Sequence, residues 1–559
     1  MSTRCGLGTY GLSTRSATLI KCMLVLMGSC LLSHALVPTA AAQAQRRQMS
    51  LTLREATAFA LQGNLSIQVA GLNPPIREAQ ITESQGIFDL ITRGSLRAAD
   101  SRILDTATTF LDRVNQKPTP LLGPQGLVGQ DNSQEQRLAL GLSQLTPYGG
   151  TYDLELSETH LSTTRRTTGS ELKAAQQNRT LAFPYPFRPR SDFYTTEAVI
   201  RGTQPLLRNF GSEITRTQIV IAQNNLTISR EDFRRQVITI TSQIQQAYWD
   251  LVFRRQDLEV QRQELVLGQQ LLDQIRKQVA VGTLAPLDVL QAETTNSRTE
   301  ERILVAGNAV RAAEDRLKRI MNFSLIGDLA DVVILPVDTP TYTDITLDQE
   351  EQLRQALSQR PDLIQAKLTL ENQHITLVLN QNQTLPVLDL DASLRINGID
   401  ERFDGSFGEI DPTKRYRWEV GLTFRYPLQN RQAKSRVLQS QLAIRQQMVR
   451  IKDLEESIMA EVRNAVRDVL TNSQRVQSSR ISSRLAQKQL EAEEKKLQVG
   501  LATVFTTLQF QDLLAVQRSN EINALTEYLK ALVRLEESKS TLLQSYHIVL
   551  EPEGPRLQQ

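Results

Sequence analysis

The sequence predicts an α+β membrane protein, with a transmembrane β-barrel continuous with a long α-helical coiled-coil barrel and two structural repeats per chain. Three observations predict it. Two helix-breaking turns carry nearly the same text, Val281-Gly282-Thr283-Leu284-Ala285 and Val499-Gly500-Leu501-Ala502-Thr503. Each lies between two long, heptad-patterned segments almost free of Gly and Pro. Six other stretches alternate apolar and polar residues with period two.

The chain opens on a targeting segment, residues 1–44. Arg4, Arg15 and Lys21 precede the apolar run Cys22 to Leu36, and small residues follow at Ala40-Ala41-Ala42 and Ala44. Those three bases equal the net charge of +3 for the whole chain, so the mature chain is near neutral. The pI of 8.7 therefore reports the export signal and gives no reason to expect nucleic acid as a partner. Cys5, Cys22 and Cys30 all fall in this segment, so no disulfide or thiolate metal site is expected after cleavage. Met27-Gly28-Ser29-Cys30 also reads as a poor lipoprotein cleavage site, and lipidation of Cys30 stays open. His34, His160, His374 and His547 are scattered without metal-ligand spacing, and no phosphate loop or nucleophile elbow occurs. No catalytic residue, cofactor or metal is expected.

The first repeat spans 45–335. A helix runs from Leu53 through Ile67, and about four barrel strands follow within 88–206. A long helical hairpin covers 212–323, with its tip near 282. Val237, Ile244, Leu251, Leu258, Leu265, Leu272 and Val279 recur every seven residues. That 3.5-residue period implies a left-handed supercoil. Residues 336–344 are a linker. The second repeat spans 345–548, with a helix through Ala356 to Leu363, two strands within 386–428, and a hairpin over 432–548 with its tip near 500. A flexible tail is expected over 549–559.

The strands decide between a rod and a membrane duct. Leu388, Leu390, Ala392, Leu394 and Ile396 alternate with polar residues, and so do Trp418, Val420, Leu422 and Phe424. Leu138, Leu140 and Leu142 share a face, as do Tyr152, Leu154 and Leu156; weaker versions run from Leu90 to Ala98 and from Tyr194 to Gly202. Each is about the 9–11 residues a tilted strand needs to cross a bilayer. Residues 103–136, 163–191 and 398–415 are expected as long polar loops outside, and Pro147-Tyr148-Gly149-Gly150 as a tight periplasmic turn.

At these residues the chain resembles the TolC-like outer-membrane factors, the exit ducts of efflux pumps and type I secretion systems. The resemblance rests on Ala356-Leu357, Arg360-Pro361-Asp362-Leu363, Gln204-Pro205-Leu206-Leu207, Tyr426-Pro427-Leu428 and the run from Val281 to Ala292, in order. It implies a homotrimer in the outer membrane of a Gram-negative bacterium, in contact with outer-membrane lipid, with its helices in the periplasm. Most members give four strands per chain; six here means eighteen in the trimer instead of twelve. A periplasmic adaptor protein is the implied partner, and through it an inner-membrane transporter that supplies the energy. By resemblance, Val281, Gly282, Asp288, Val289 and Leu290 form one adaptor contact, and Val499, Gly500, Leu501 and Leu508 the other. The matching gate positions are Thr506 and Gln509, both uncharged, with Asp512 one turn on; Asp512 either rings the bore and selects cations or stands solvated outside. The rival readings are a soluble periplasmic coiled-coil adaptor, a secreted rod and, last, an enzyme.

Overall fold

Six strands pair in sequence order into one antiparallel sheet: β1 (Ile91–Ala107), β2 (Leu127–Leu145), β3 (Thr151–Thr168), β4 (Arg190–Pro205), β5 (Val387–Asp400) and β6 (Tyr416–Arg425). In this computed structural model the residues described are 48–107, 109–111, 118–120, 127–168, 190–323, 332–551 and 554–557. The export signal and its three cysteines lie outside them.

The register explains the alternation. Leu142, Leu154, Ile200, Leu394 and Trp418 are successive cross-strand partners, as are Leu140, Leu156, Ala198, Ile396 and Tyr416. Most of these side chains are exposed, so apolar rows cross the outer face of the sheet strand by strand. The other face is concave and charged, bridged by Arg93–Asp153 at 2.5 Å, Arg137–Glu155 at 2.9 Å and Arg395–Glu197 at 3.3 Å. One face suits lipid and the other a wet lumen.

The strands are longer than their apolar patterns. β1, β2, β3 and β4 have 17, 19, 18 and 16 residues. At about 3.4 Å per residue, β2 runs roughly 65 Å, well beyond a roughly 25 Å apolar band. The expected loops 103–136 and 163–191 are corrected accordingly: residues 103–107, 127–136, 163–168 and 190–191 belong to the ladder. Past the membrane the outer face is polar, so the period-two signal vanishes while the backbone hydrogen bonds continue.

The expected polar loop 398–415 also differs. It contains a short helix, α8 (Phe403–Gly408), packed on β4 and β5. Glu158 shares the outer face with Leu154 and Leu156 yet is buried, because α8 covers it. Thr196 donates to Glu158, and Ser406 Oγ donates to Glu158 Oε1 at 3.1 Å. Gly398 makes room for the helix, since a Cβ there would lie 2.1 Å from the Ser406 carbonyl oxygen.

Each repeat opens on a broken helix. In the first, Thr52 caps α1 (Leu53–Gly63) in a capping box with Glu55, and Asn64 caps α2 (Leu65–Gly71); α3 (Asn73–Gln85) follows. In the second, Asp348 caps α6 (Gln349–Gln359), and Pro361 starts α7 (Pro361–Asn382). The sequence pattern suggested one continuous helix in each place. The break is local: the residues at Asn64 and Arg360 are extended, and each following helix needs a new start.

The long hairpins are α4 (Thr217–Ala280) with α5 (Pro286–Ile320), and α9 (Arg431–Gln498) with α10 (Val504–Lys539). They lie side by side in the order α9, α10, α4, α5. With 64 residues, α4 reaches roughly 96 Å at 1.5 Å per residue. Each return helix is about half as long as its partner. The strand-proximal half of α4 is covered instead by α3 and α7, and that of α9 by α7. No helix among the described residues is long and apolar enough to cross a membrane.

Two fully buried tyrosines fasten the inter-repeat segment to the helices. Tyr248 donates to Asp338 at 2.6 Å, with the Leu51 carbonyl 3.0 Å from the same hydroxyl, and Tyr528 donates to the Thr343 carbonyl at 2.6 Å. Burial raises both phenols above their ordinary range, so both remain donors. Beyond residue 548 the expected tail is instead a hairpin of Ile548–Glu551 with Gly554–Leu557. Ile548 is buried in the main helical core and Leu550 packs beside it, which anchors this segment.

Candidate functional site

The two hairpin tips are built alike. At the first, Gly282 has φ +78° and its N–H donates to the Val279 carbonyl at 3.0 Å, while Thr283 N–H donates to Gln278 at 2.9 Å. At the second, Gly500 has φ +78° and donates to Leu497 at 3.1 Å, while Leu501 N–H donates to Lys496 at 2.8 Å. Both are Schellman ends, which require a left-handed residue that glycine supplies without steric cost. The following helices are capped differently. Asp288 accepts from Ala285 N–H at 3.1 Å, and Thr503 accepts from Thr506 N–H at 3.2 Å.

The structure divides the expected tip residues. Val281, Gly282, Leu290, Val499, Gly500 and Leu501 are exposed, and Val281 and Leu501 retain more than 70% of their surface (75% and 79%). Leu508 is buried and Val289 half-buried, in a small core with Leu271, Ile275, Ala292 and Val504 that welds the two tips together. Asp288 serves its own helix as a cap. Thr506 Oγ1 donates back to the Thr503 carbonyl at 2.8 Å.

Above the tips a groove of about 1020 Å³ runs between α5 and α10 over α4. Leu287, Leu290, Phe505 and Gln509 line it together with Arg302 and Asp512. Phe505, Gln509, Leu513 and Val516 mark one exposed, largely apolar face of α10.

Asp512 is not a free carboxylate. Its Oδ1 accepts from Arg302 Nη1 at 2.8 Å, and Arg302 Nη2 reaches Glu264 Oε1 at 2.6 Å. One guanidinium therefore links α4, α5 and α10. Burial pushes the Glu264 carboxyl above its ordinary value, and the Arg302 charge offsets this only in part. Among the described residues Glu264 Oε2 has no hydrogen-bond partner. Ser519 donates to Asp257, and Ser242 donates to Glu537 at 2.5 Å, adding two further ties between α10 and α4. Glu264 and Arg302 escaped the sequence reading. Arg302 and Asp512 are 210 residues apart in the chain, and nothing local to either marks the other. Among the described residues no group of three His, Cys, Asp or Glu is placed to hold a metal ion.

A family model described as outer membrane efflux protein matches residues 203–322 and 352–538, more than half of the chain. No curated protein matches the sequence. Among solved structures, the CmeC outer membrane channel of Campylobacter jejuni superposes with a TM-score of 0.57 at 14% identity, over 88% of this chain and 86% of that one. The VceC outer membrane protein of Vibrio cholerae gives 0.57 at 14% identity, over 87% and 96%. The MtrE outer membrane channel of Neisseria gonorrhoeae, in its open state, gives 0.58 at 14% identity, over 88% and 89%. At these identities the likeness is one of fold.

Proposed function

The chain belongs to the outer membrane efflux protein family, and from that premise we propose how its parts make a duct. It is an outer-membrane efflux channel of Gram-negative bacteria and not an enzyme. Members of the family form trimeric channels in tripartite pumps. In our reading three copies of this chain close one barrel of eighteen strands, and their hairpins form a hollow stalk in the periplasm.

One observation carries this reading: the sheet has two bare edges. Every residue of β6 is exposed, as is every residue of β1 from Ile91 to Arg102. In hydrocarbon each unpaired backbone group costs several kcal/mol, so the sheet has to close on other copies. The outermost helices fit the same arrangement. Leu287, Leu290, Leu304 and Val305 are exposed on α5, and Leu438, Leu442, Val449 and Ile481 on α9. These rows would cover one another between neighbouring copies.

The tips then meet a periplasmic adaptor through Val281, Leu290, Val499 and Leu501, with an inner-membrane transporter behind it supplying the energy. The Glu264–Arg302–Asp512 cluster serves as a latch holding the second hairpin against the first. Opening the stalk breaks it. Mass measurement of the detergent-purified protein tests the assembly. A trimer is expected, and a monodisperse monomer overturns the reading.

A further inference from the structure

We propose that the lumen wall formed by β1 to β4 carries a binding subsite for multivalent anions, groups rich in phosphate or carboxylate, which biases the duct toward acidic cargo. The inference rests on the reading of the chain as a channel and adds a substrate class to it.

A concavity of about 960 Å³ on the charged face of the sheet is lined by Arg93, Arg97, Arg137 and Arg201, with Asp153 and Glu155. The two carboxylates are already engaged, Asp153 by Arg93 and Glu155 by Arg137. Arg201 lies directly across from Asp153 in the ladder, but among the described residues no carboxylate pairs with it or with Arg97. Arg97 is the direct cross-strand partner of Arg137. Like charges in that position destabilise a sheet. Four guanidiniums thus face two carboxylates, and a bound anion would neutralise the surplus.

The surplus is confined to the concavity, since further along β2 and β4 the same face carries Glu135 and Glu197, the latter paired with Arg395. Along β5 and β6 the same face alternates in sign, with Asp389, Asp391 and Glu419 against Arg395, Arg417 and Arg425. Asp391 is further held by Thr203 at 2.9 Å and Thr423 at 2.8 Å. Rings of Arg or Lys are the usual basis of anion preference in pores, and low-dielectric walls focus their field.

The test uses the trimer in planar bilayers, with pyrophosphate added on the outer side. The wild-type current is expected to be blocked. In the double variant Arg97→Gln/Arg201→Gln, half-block is expected to need roughly tenfold more pyrophosphate, about 1.4 kcal/mol of lost attraction. Among the described residues of one chain neither arginine has a carboxylate partner to orphan, and the mass measurement that identifies the trimer also checks assembly of the variant. Arg97→Lys/Arg201→Lys should keep most of the block, and Arg425→Gln should leave it unchanged. An unblocked wild type, or equal block in the glutamine variant with conductance intact, overturns the subsite while sparing the channel. Absence of conductance in the wild type overturns the channel reading and the subsite with it.

Discussion

Arg302 Nη1 stands 2.8 Å from Asp512 Oδ1, joining the return helix of the first hairpin to that of the second. The same guanidinium reaches back to Glu264, so one side chain links three helices within the groove. Asp512 therefore ties the second hairpin to the first.

Asp512→Asn should raise the open probability of single channels. Its effect on stability should stay below about 1 kcal/mol, because the carboxylate is half exposed. Arg302→Ala should cost more, roughly 1–3 kcal/mol, because it strips the buried Glu264 of its counter-charge. Bilayer recordings and thermal unfolding read the two effects separately. An open probability unchanged in both variants rejects the latch.

A latch that includes Glu264 should be sensitive to pH. Burial holds its carboxyl above the ordinary value despite Arg302, so the folded chain takes up this proton before the unfolded chain does. Its contribution to folding stability therefore rises as pH falls through the raised value, and levels off below the unfolded one. The same protonation discharges its bond to Arg302. Mild acidification should increase opening in the wild type and not in Glu264→Gln. The unfolding midpoint of the wild type should gain on that of Glu264→Gln over the same pH range.

Gly282→Ala and Gly500→Ala test the tips without a packing clash, since apart from the flanking residues no atom of the described residues lies within 4 Å of a Cβ built at either position. With φ at +78°, each should cost about 1 kcal/mol from backbone strain alone. Asn, which tolerates the left-handed region, should cost less at both positions. Hydrogen exchange localised to the tip is the measurement. Equal protection in the Ala and Asn variants would contradict the strain argument.

Trp418 reports on the outer face of the sheet. It is 67% exposed, whereas Trp249 is buried, and the chain has no other tryptophan. In a Trp249→Phe variant reconstituted in vesicles with brominated acyl chains, Trp418 emission should be strongly quenched. Full emission there would place this face away from lipid.

Much of the architecture was legible because it repeats. The seams through Val237, Ile244 and Leu251 and the Val-Gly turns carry their period in the sequence, and so do the rows through Leu394 and Trp418. The strand extensions beyond the bilayer were not legible, because a polar ladder needs no alternating hydrophobicity. Helix α8 was hidden for a related reason: a six-residue helix, Phe403–Gly408, has too few turns to show a period. Its role rests on Ser406 meeting Glu158, 248 residues away. Among the expected tip residues, the exposed ones and the glycines were marked by the turn itself. The inward packing of Leu508 depends on the first hairpin and has no local signature.

The bare margins of the sheet bear on biogenesis. A solitary chain has no low-energy way to enter a bilayer, because insertion would strand both margins in hydrocarbon. In the trimer proposed above, encounter of the three chains would then precede or accompany integration. The yield of mature pores should then depend steeply on how many newly exported chains are present together, and a dilute pool would wait, exposed to proteases and chaperones, in the periplasm.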